Sequence, residues 1–301
     1  LMLYDYDKPI EILTDQSELT MELTRKSISF IEKNKDNPFF LYLAHPQPHV
    51  PLFASSKFKG RSDHGLYTDV IEEIDHSLGL IMETLKKNNL DKNTVVVFTS
   101  DNGPWLSYGG HAGSTGIYRE GKGTTWEGGQ RVPCIVWYPN EIKPNSVVKT
   151  PLMGIDWLPT FAKITNASLS ENKIDGKNIW ENLTGKTDSD PHEALFFYYH
   201  KNSLHGVRYG DYKMYFPHRY RTLNGRTGRD DGSPIKYEYV NLLENELYNL
   251  KTDPSETINI INEFPVIAKK IIALADSKRK EIGDDLTNVI GIENREVGMI
   301  D

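Results

Sequence analysis

Thr94-Val95-Val96-Val97-Phe98-Thr99, running into Ser100-Asp101-Asn102-Gly103-Pro104, is the stretch that decides the fold class. A short apolar, β-branched run closed by turn residues reads as a buried strand. It places a carboxylate and an amide just past the strand's carboxyl end, where open α/β sheets build their sites. Adjacent oxygen donors of this kind suit a hard cation such as Ca²⁺ or Mg²⁺. Asp-Asn-Gly is also ordinary turn chemistry, so the pair alone leaves turn and metal ligand evenly balanced.

Upstream, Leu66, Val70, Ile74, Leu78, Ile81 and Leu85 recur at helical spacing and predict a helix over 66–89. An earlier amphipathic helix is predicted over 17–34, stopped by Asn37-Pro38, and Phe39-Phe40-Leu41-Tyr42-Leu43-Ala44 reads as a buried strand. His45-Pro46-Gln47-Pro48-His49-Val50-Pro51 follows as a loop stiffened by proline. Downstream come a glycine-rich segment, a strand at Cys134–Tyr138 and a short helix after Asp156. Strand and helix in alternation predict an α/β layer with a mostly parallel sheet.

The pattern changes after Gly185-Lys186-Thr187-Asp188-Ser189-Asp190. Phe196–Tyr199, Gly206–Arg208, Tyr212–Phe216 and Tyr237–Val240 are short aromatic runs that predict a small antiparallel sheet. Pro265 opens a last helix, with Ile267, Ile271, Leu274 and Ile282 on one face. Two domains are therefore expected, 1–188 and 189–301.

The chain has 301 residues, and 35 Lys+Arg against 42 Asp+Glu give a net charge of −7. That balance argues against a general nucleic-acid binder, although a local cationic pocket can coexist with it. Cys134 is the single cysteine, so no intrachain disulfide can form. No apolar run reaches the length of a membrane span, and Leu1-Met2-Leu3-Tyr4 is not a secretory leader. Asp5 and Asp7 lie in a tyrosine-rich segment away from any expected strand end, and Asp75 reads as a structural hydrogen-bonding residue of its helix. Asn166-Ala167-Ser168 and Asn182-Leu183-Thr184 match the glycosylation triplet, which recurs often by chance.

Gly121-Lys122-Gly123-Thr124-Thr125-Trp126-Glu127-Gly128-Gly129 sets one lysine among glycines, where backbone and ammonium can both approach an oxyanion. Taken with Asp101-Asn102 and the His49-Val50-Pro51 loop, it resembles the formylglycine-dependent sulfatases of the arylsulfatase A and N-acetylgalactosamine-6-sulfatase type. The resemblance runs in order as far as Leu247-Tyr248-Asn249-Leu250-Lys251-Thr252-Asp253-Pro254. It implies an alkaline-phosphatase-like α/β sandwich with a small C-terminal antiparallel sheet and helix. It also implies that Asp101 and Asn102 form half of a calcium site, that Lys122 binds sulfate, and that His49 contacts the ester and protonates the leaving oxygen. His111 could contact the rest of the substrate, and a solvated loop histidine is equally compatible.

The family's nucleophile motif, Cys or Ser, any residue, Pro, any residue, Arg, is not found. Val136 and Tyr138 fill the Pro and Arg positions after Cys134, and Tyr215-Phe216-Pro217-His218-Arg219 begins with a residue that cannot become formylglycine. The chain is accordingly expected to be the later part of a sulfatase, inactive alone, from a periplasmic, secreted or lysosomal enzyme. Arg219, Arg221, Arg226 and Arg229 fall in a turn-rich stretch over 217–231, which reads either as a solvated charged loop offset by its own aspartates or as a recognition loop for a sulfated carbohydrate substrate. The alternatives are a phosphate or phosphonate ester hydrolase of the same superfamily, and a fragment that binds sulfated glycans without turnover.

Overall fold

Strand β1 (Met2–Asp5) and strand β2 (Lys8–Ile12) form an antiparallel hairpin that periodicity does not announce. Asp5 thus ends a strand, contrary to expectation, and Asp7 sits in the turn. The hairpin is open to solvent, with Tyr6 97% and Ile12 67% exposed. The computed structural model describes residues 2–294. These divide into two compact units. One holds the residues up to Val96 with Leu106–Gly113 and Arg226–Lys236; the other holds Val97–Trp105, Ser114–Gly225 and the residues from Tyr237 on.

In the first unit, helix α1 (Leu19–Asn34) and helix α2 (Leu66–Lys87) pack through Ile31, Ile81 and Leu85. A buried hydroxyl pair, Thr24 Oγ1 to Ser77 Oγ at 2.6 Å, joins them. The carboxylates that matter on α2 are not Asp75, which is exposed, but Asp69 and Glu73. Asp69 accepts the amides of Gly60 (2.7 Å) and Ser62 (2.8 Å), and Glu73 that of Ser55 (2.8 Å), so both fasten the loop before the helix. The residues over 39–44 are not a strand. Phe39, Leu41 and Leu43 pack on the helices while Phe40 and Tyr42 face out. Composition set the alternation of burial, but a strand also requires a ladder of backbone bonds to a neighbour.

The second unit begins within strand β3 (Val96–Thr99), at Val97, and the partner of β3 is strand β4 (Cys134–Trp137). This pair is half-exposed rather than buried, with Ile135 at 65%, since a two-stranded ribbon cannot cover both of its faces. Helices α3 (Glu127–Gln130), α4 (Trp157–Thr165) and α5 (Trp180–Leu183) follow. Asn182 lies buried, its amide donating to the Ser189 carbonyl at 2.9 Å, so that glycosylation triplet is not displayed.

Strands β5 (Leu195–Tyr199), β6 (Ser203–Tyr209) and β7 (Tyr212–Tyr215) make the expected antiparallel sheet, but its fourth strand is β10 (Glu246–Asn249), in the order β10-β7-β6-β5, and not the run Tyr237–Val240, which pairs elsewhere. Strands β8 (His218–Thr222) and β9 (Glu238–Leu242) form a separate antiparallel hairpin. Helix α6 (Pro265–Ile282) lays Ala268, Ile271 and Ala275 on Leu204, Val207, Met214 and Leu247. The aperiodic tail contributes Asp284, fully buried, which takes Arg279 Nε at 2.8 Å and the Leu204 amide at 3.1 Å.

His205 of β6 and His218 of β8 stack at 3.9 Å between ring centroids, both buried. His218 Nδ1 donates to the Phe216 carbonyl at 2.6 Å, and His205 Nδ1 and His218 Nε2 have no hydrogen-bond partner among the described residues. Burial, then the neighbouring His218, holds His205 down at about 3, and burial also depresses His218. The unfolded chain takes up protons here below about pH 6.5 while the native state stays neutral. Stability is therefore full above that pH and falls as pH drops towards about 3. In urea unfolding at neutral and mildly acid pH, His205→Phe should keep the stack and lose less stability on acidification than the parent. Equal losses in both would exclude the pair as the source.

Candidate active site

Strand β3 delivers Asp101 and Asn102 at its carboxyl end, Asp101 exposed and Asn102 half-buried. Asn102 Nδ2 donates to Asp101 Oδ1 at 2.6 Å, which orients the amide oxygen and leaves the second carboxylate oxygen unused by this bond. The next residues tie this turn to the lysine loop. The Gly103 amide donates to the Gly129 carbonyl at 3.1 Å, and the Lys122 amide to the Pro104 carbonyl at 2.9 Å. Only glycine permits that approach, because a Cβ at Gly103 would overlap the Gly128 carbonyl.

Lys122 is gripped from the other side by Arg221, whose Nε donates to the Lys122 carbonyl at 3.1 Å, joined there by Nη2. Gly123, at φ 88°, leaves the room that the guanidinium fills. Both cations lie over one ring: Lys122 Nζ is 5.3 Å and the Arg221 guanidinium 5.7 Å from the centroid of Trp105. Arg221 also stacks on Tyr237 at 4.4 Å, and Arg219 on Tyr239 at 4.5 Å. Two cations held against one indole, in a chain of net charge −7, concentrate positive charge locally, which is chemistry that attracts an anion.

The turn that follows Asp101 and Asn102 is thus joined through the backbone to the Lys122 loop, which Arg221 also holds, all within the second unit. Arg219 and Arg221 sit on strand β8, not in a turn-rich loop, because β9 pairs with them at Asn241 and Tyr239. Arg226 lies beyond the strand in the first unit, with Nη2 on the Lys236 carbonyl at 3.0 Å. His49 and His111 also belong to the first unit. His49 is exposed, with Nδ1 2.7 Å from the carbonyl of Val50, between the cis peptides before Pro48 and Pro51. His111 is half-buried with its ring against Gly232, where a side chain would collide with it. His45 is held below its ordinary range by burial, its Nε2 3.4 Å from Ser77 Oγ, which suits a structural role. Sequence reasoning missed Trp105 and Tyr237. An indole placed directly after the Asp-Asn-Gly-Pro turn was the available signal for Trp105.

The donor chemistry of Asp101 and Asn102 fits a hard cation, supplying two side chains towards the roughly six to eight oxygens that Ca²⁺ takes. Among the described residues there is no group of three or more His, Cys, Asp or Glu arranged to hold a metal. Nor, among them, is any helix long and apolar enough to cross a membrane.

Comparison with known proteins decides the family. The Sulfatase profile matches residues 3–167, and the profile for the C-terminal region of aryl-sulfatase matches residues 190–295. The chain belongs to the sulfatase family. Rat steryl-sulfatase is 40% identical over 191 residues, which cover 62% of this chain and 33% of that protein. Human arylsulfatase A is 34% identical over 236 residues, covering 76% of this chain and 45% of the relative. A solved structure described under the metabolism of multiple glycosaminoglycans by Bacteroides thetaiotaomicron superposes with a TM-score of 0.76 at 30% identity. That match covers 89% of this chain and 56% of the other. The chain therefore spans between a third and a half of the length of these curated relatives. Its fold is the α/β sulfatase fold of the alkaline-phosphatase-like class, with the small antiparallel sheet and helix at the C-terminal side.

Proposed function

We propose that the chain supplies the sulfate-recognition part of a sulfuric ester hydrolase acting on a sulfated carbohydrate. In this reading the formylglycine nucleophile lies outside these residues and the chain alone does not turn over. The observation that carries the reading is the pair of cations, Lys122 and Arg221, over Trp105 beside the strand-end Asp101 and Asn102. Lys122 meets a sulfate oxygen and stabilises the charge that grows there as the ester bond breaks. His49 gives a proton to the leaving alcohol, a transfer for which imidazole is the side chain most often used. Asp101 and Asn102 would hold Ca²⁺, which supplies positive charge against the sulfate oxygens. His111 contacts the substrate beyond the sulfate. Residues 1–188 form the later part of the catalytic domain and 189–301 its C-terminal subdomain, in an enzyme of a periplasmic, secreted or lysosomal compartment.

The names of the relatives include steryl and aryl substrates as well as glycosaminoglycans. The arginine–tyrosine pairs favour a glycan. Arg219 with Tyr239 and Arg221 with Tyr237 offer guanidinium forks for sulfate or carboxylate groups, held by aromatic faces. In the intact enzyme, Arg219→Ala should lower kcat/KM for a sulfated oligosaccharide about tenfold, or about 1.4 kcal/mol, and leave an aryl sulfate unchanged. Equal loss on both, or none, removes the glycan assignment. Turnover of phosphate or phosphonate esters without sulfate esters would move the site to the alternative activity. Tight oligosaccharide binding without turnover would make it a binding protein.

A further inference from the structure

The loop that carries Lys122 is closed at its base by the Gly128 amide on the Arg119 carbonyl at 2.8 Å. Both sides of that base meet a single residue far along the chain. Arg119 Nη1 donates to the backbone carbonyl of Glu256 at 2.9 Å. The Glu127 amide donates to the Glu256 carboxylate, Oε2, at 2.9 Å. Glu256 Oε1 takes the Tyr215 hydroxyl in a short hydrogen bond, and that hydroxyl also lies 3.1 Å from the Thr125 carbonyl. Ser255 Oγ adds a bond to the Ile117 carbonyl at 2.6 Å.

Around these bonds lies a packed aromatic and ionic shell. The Arg119 guanidinium sits 3.6 Å over Trp126, and Trp126 stacks on Tyr215 at 3.9 Å. Lys213, with no exposed surface, donates to the Thr125 carbonyl and to Glu127 Oε1, both at 2.7 Å, and is 3.9 Å from Glu256. Glu256 is itself fully buried and holds φ 53°, the left-handed region that a side-chain-bearing residue rarely adopts. A side chain kept at such a position is explained by what its carboxylate does there.

We infer that Glu256 is the positioning residue for Lys122, fixing both flanks of its loop to the C-terminal sheet so that the ammonium is presented at one place. The inference rests on the reading of Lys122 as the sulfate ligand. Its carboxylate touches no reacting atom. It acts through the amide of Glu127, the hydroxyl of Tyr215 and, by its carbonyl, Arg119. The role of the C-terminal subdomain in the reaction would then be to hold the lysine loop, not only to complete the fold.

The test uses the 301-residue chain and the variants Glu256→Ala and Tyr215→Phe, the second keeping the ring stack and removing only the hydroxyl. Amide hydrogen exchange is followed over 120–125, and acetylation of Lys122 by an N-hydroxysuccinimide ester is timed with and without sodium sulfate. Exchange over 120–125 should quicken about tenfold or more in both variants, with α6 and the four-stranded sheet unchanged. Protection of Lys122 by sulfate should be lost with it. Unchanged loop exchange in Tyr215→Phe, or equal quickening throughout the sheet, overturns the positioning role. Absence of sulfate protection in the parent chain instead overturns the reading of Lys122 as a sulfate ligand, and the loop exchange still reports on Glu256. If Glu256→Ala does not fold, Tyr215→Phe decides.

Discussion

Lys122→Ala in the intact enzyme is expected to lower kcat/KM for any sulfate ester by about a hundred- to a thousandfold, roughly 3–4 kcal/mol of transition-state stabilisation. The loss should appear in kcat as well as KM, because charge on the sulfate oxygens grows as the ester bond breaks. Inorganic sulfate should also cease to compete at concentrations that inhibit the parent. Stability should hardly change, since the ammonium lies over Trp105 and the bonds that set the loop use the backbone of Lys122. Lys122→Arg should not restore the parent rate. Arg221 already occupies the adjacent space, and a planar fork does not reproduce a compact ammonium. A variant that retains kcat and KM within twofold or so would remove Lys122 from the chemistry.

The largest effect on stability is expected at Glu127. Its carboxylate lies buried against Lys213 Nζ at 2.7 Å and Arg131 Nε at 2.6 Å. Glu127→Ala leaves the Lys213 charge in the interior with one carbonyl and a carboxylate 3.9 Å away. Breaking one side of a buried pair in this way costs about 3–5 kcal/mol. Burial pushes the Glu127 carboxyl up, but Lys213 and then Arg131 prevail and hold it down at about 2. The unfolded carboxyl titrates near 4.3, so this contribution is fully present above that pH and is lost as pH falls towards 2. Urea midpoints for the parent and for Glu127→Gln should therefore converge on acidification. A constant gap between them from neutral pH down to pH 3 would show that Glu127 is not the group being titrated.

Glu256 and Glu127 are also the residues that sequence reasoning could not find. Nothing in Glu127-Gly128-Gly129 announces a carboxylate paired with a lysine from β7, and Glu256 follows an ordinary Asp-Pro turn. Their roles arise from contacts across the chain, with Arg119 meeting a residue 137 positions away. Local pattern carries no term for such a contact. Asp69, Glu73 and Asp284 were missed for the same reason: each is an acidic residue spent on backbone amides elsewhere, the first two on the preceding loop and Asp284 on strand β6.

By itself the sequence determined the elements whose stability is local or repetitive. Helices α1, α2, α4 and α6 follow from apolar residues three and four apart, and the aromatic runs of β5, β6 and β7 follow from strand propensity between turns. It also picked out Asp101, Asn102 and Lys122 as candidates, because an acid-amide turn at a strand end and a lysine among glycines are short-range signals. Tertiary structure alone decided which strands pair. The segment over 39–44 has the composition of a strand and forms none, whereas 218–222, read as turn-rich, becomes β8 by pairing with β9. Tertiary structure also seated Arg221 against Lys122 and Trp105, and closed the lysine loop onto Glu256. The physical reason is the same throughout. Side-chain periodicity is written along the chain, but a ladder, a stacked cation or a buried carboxylate exists only once its distant partner has arrived.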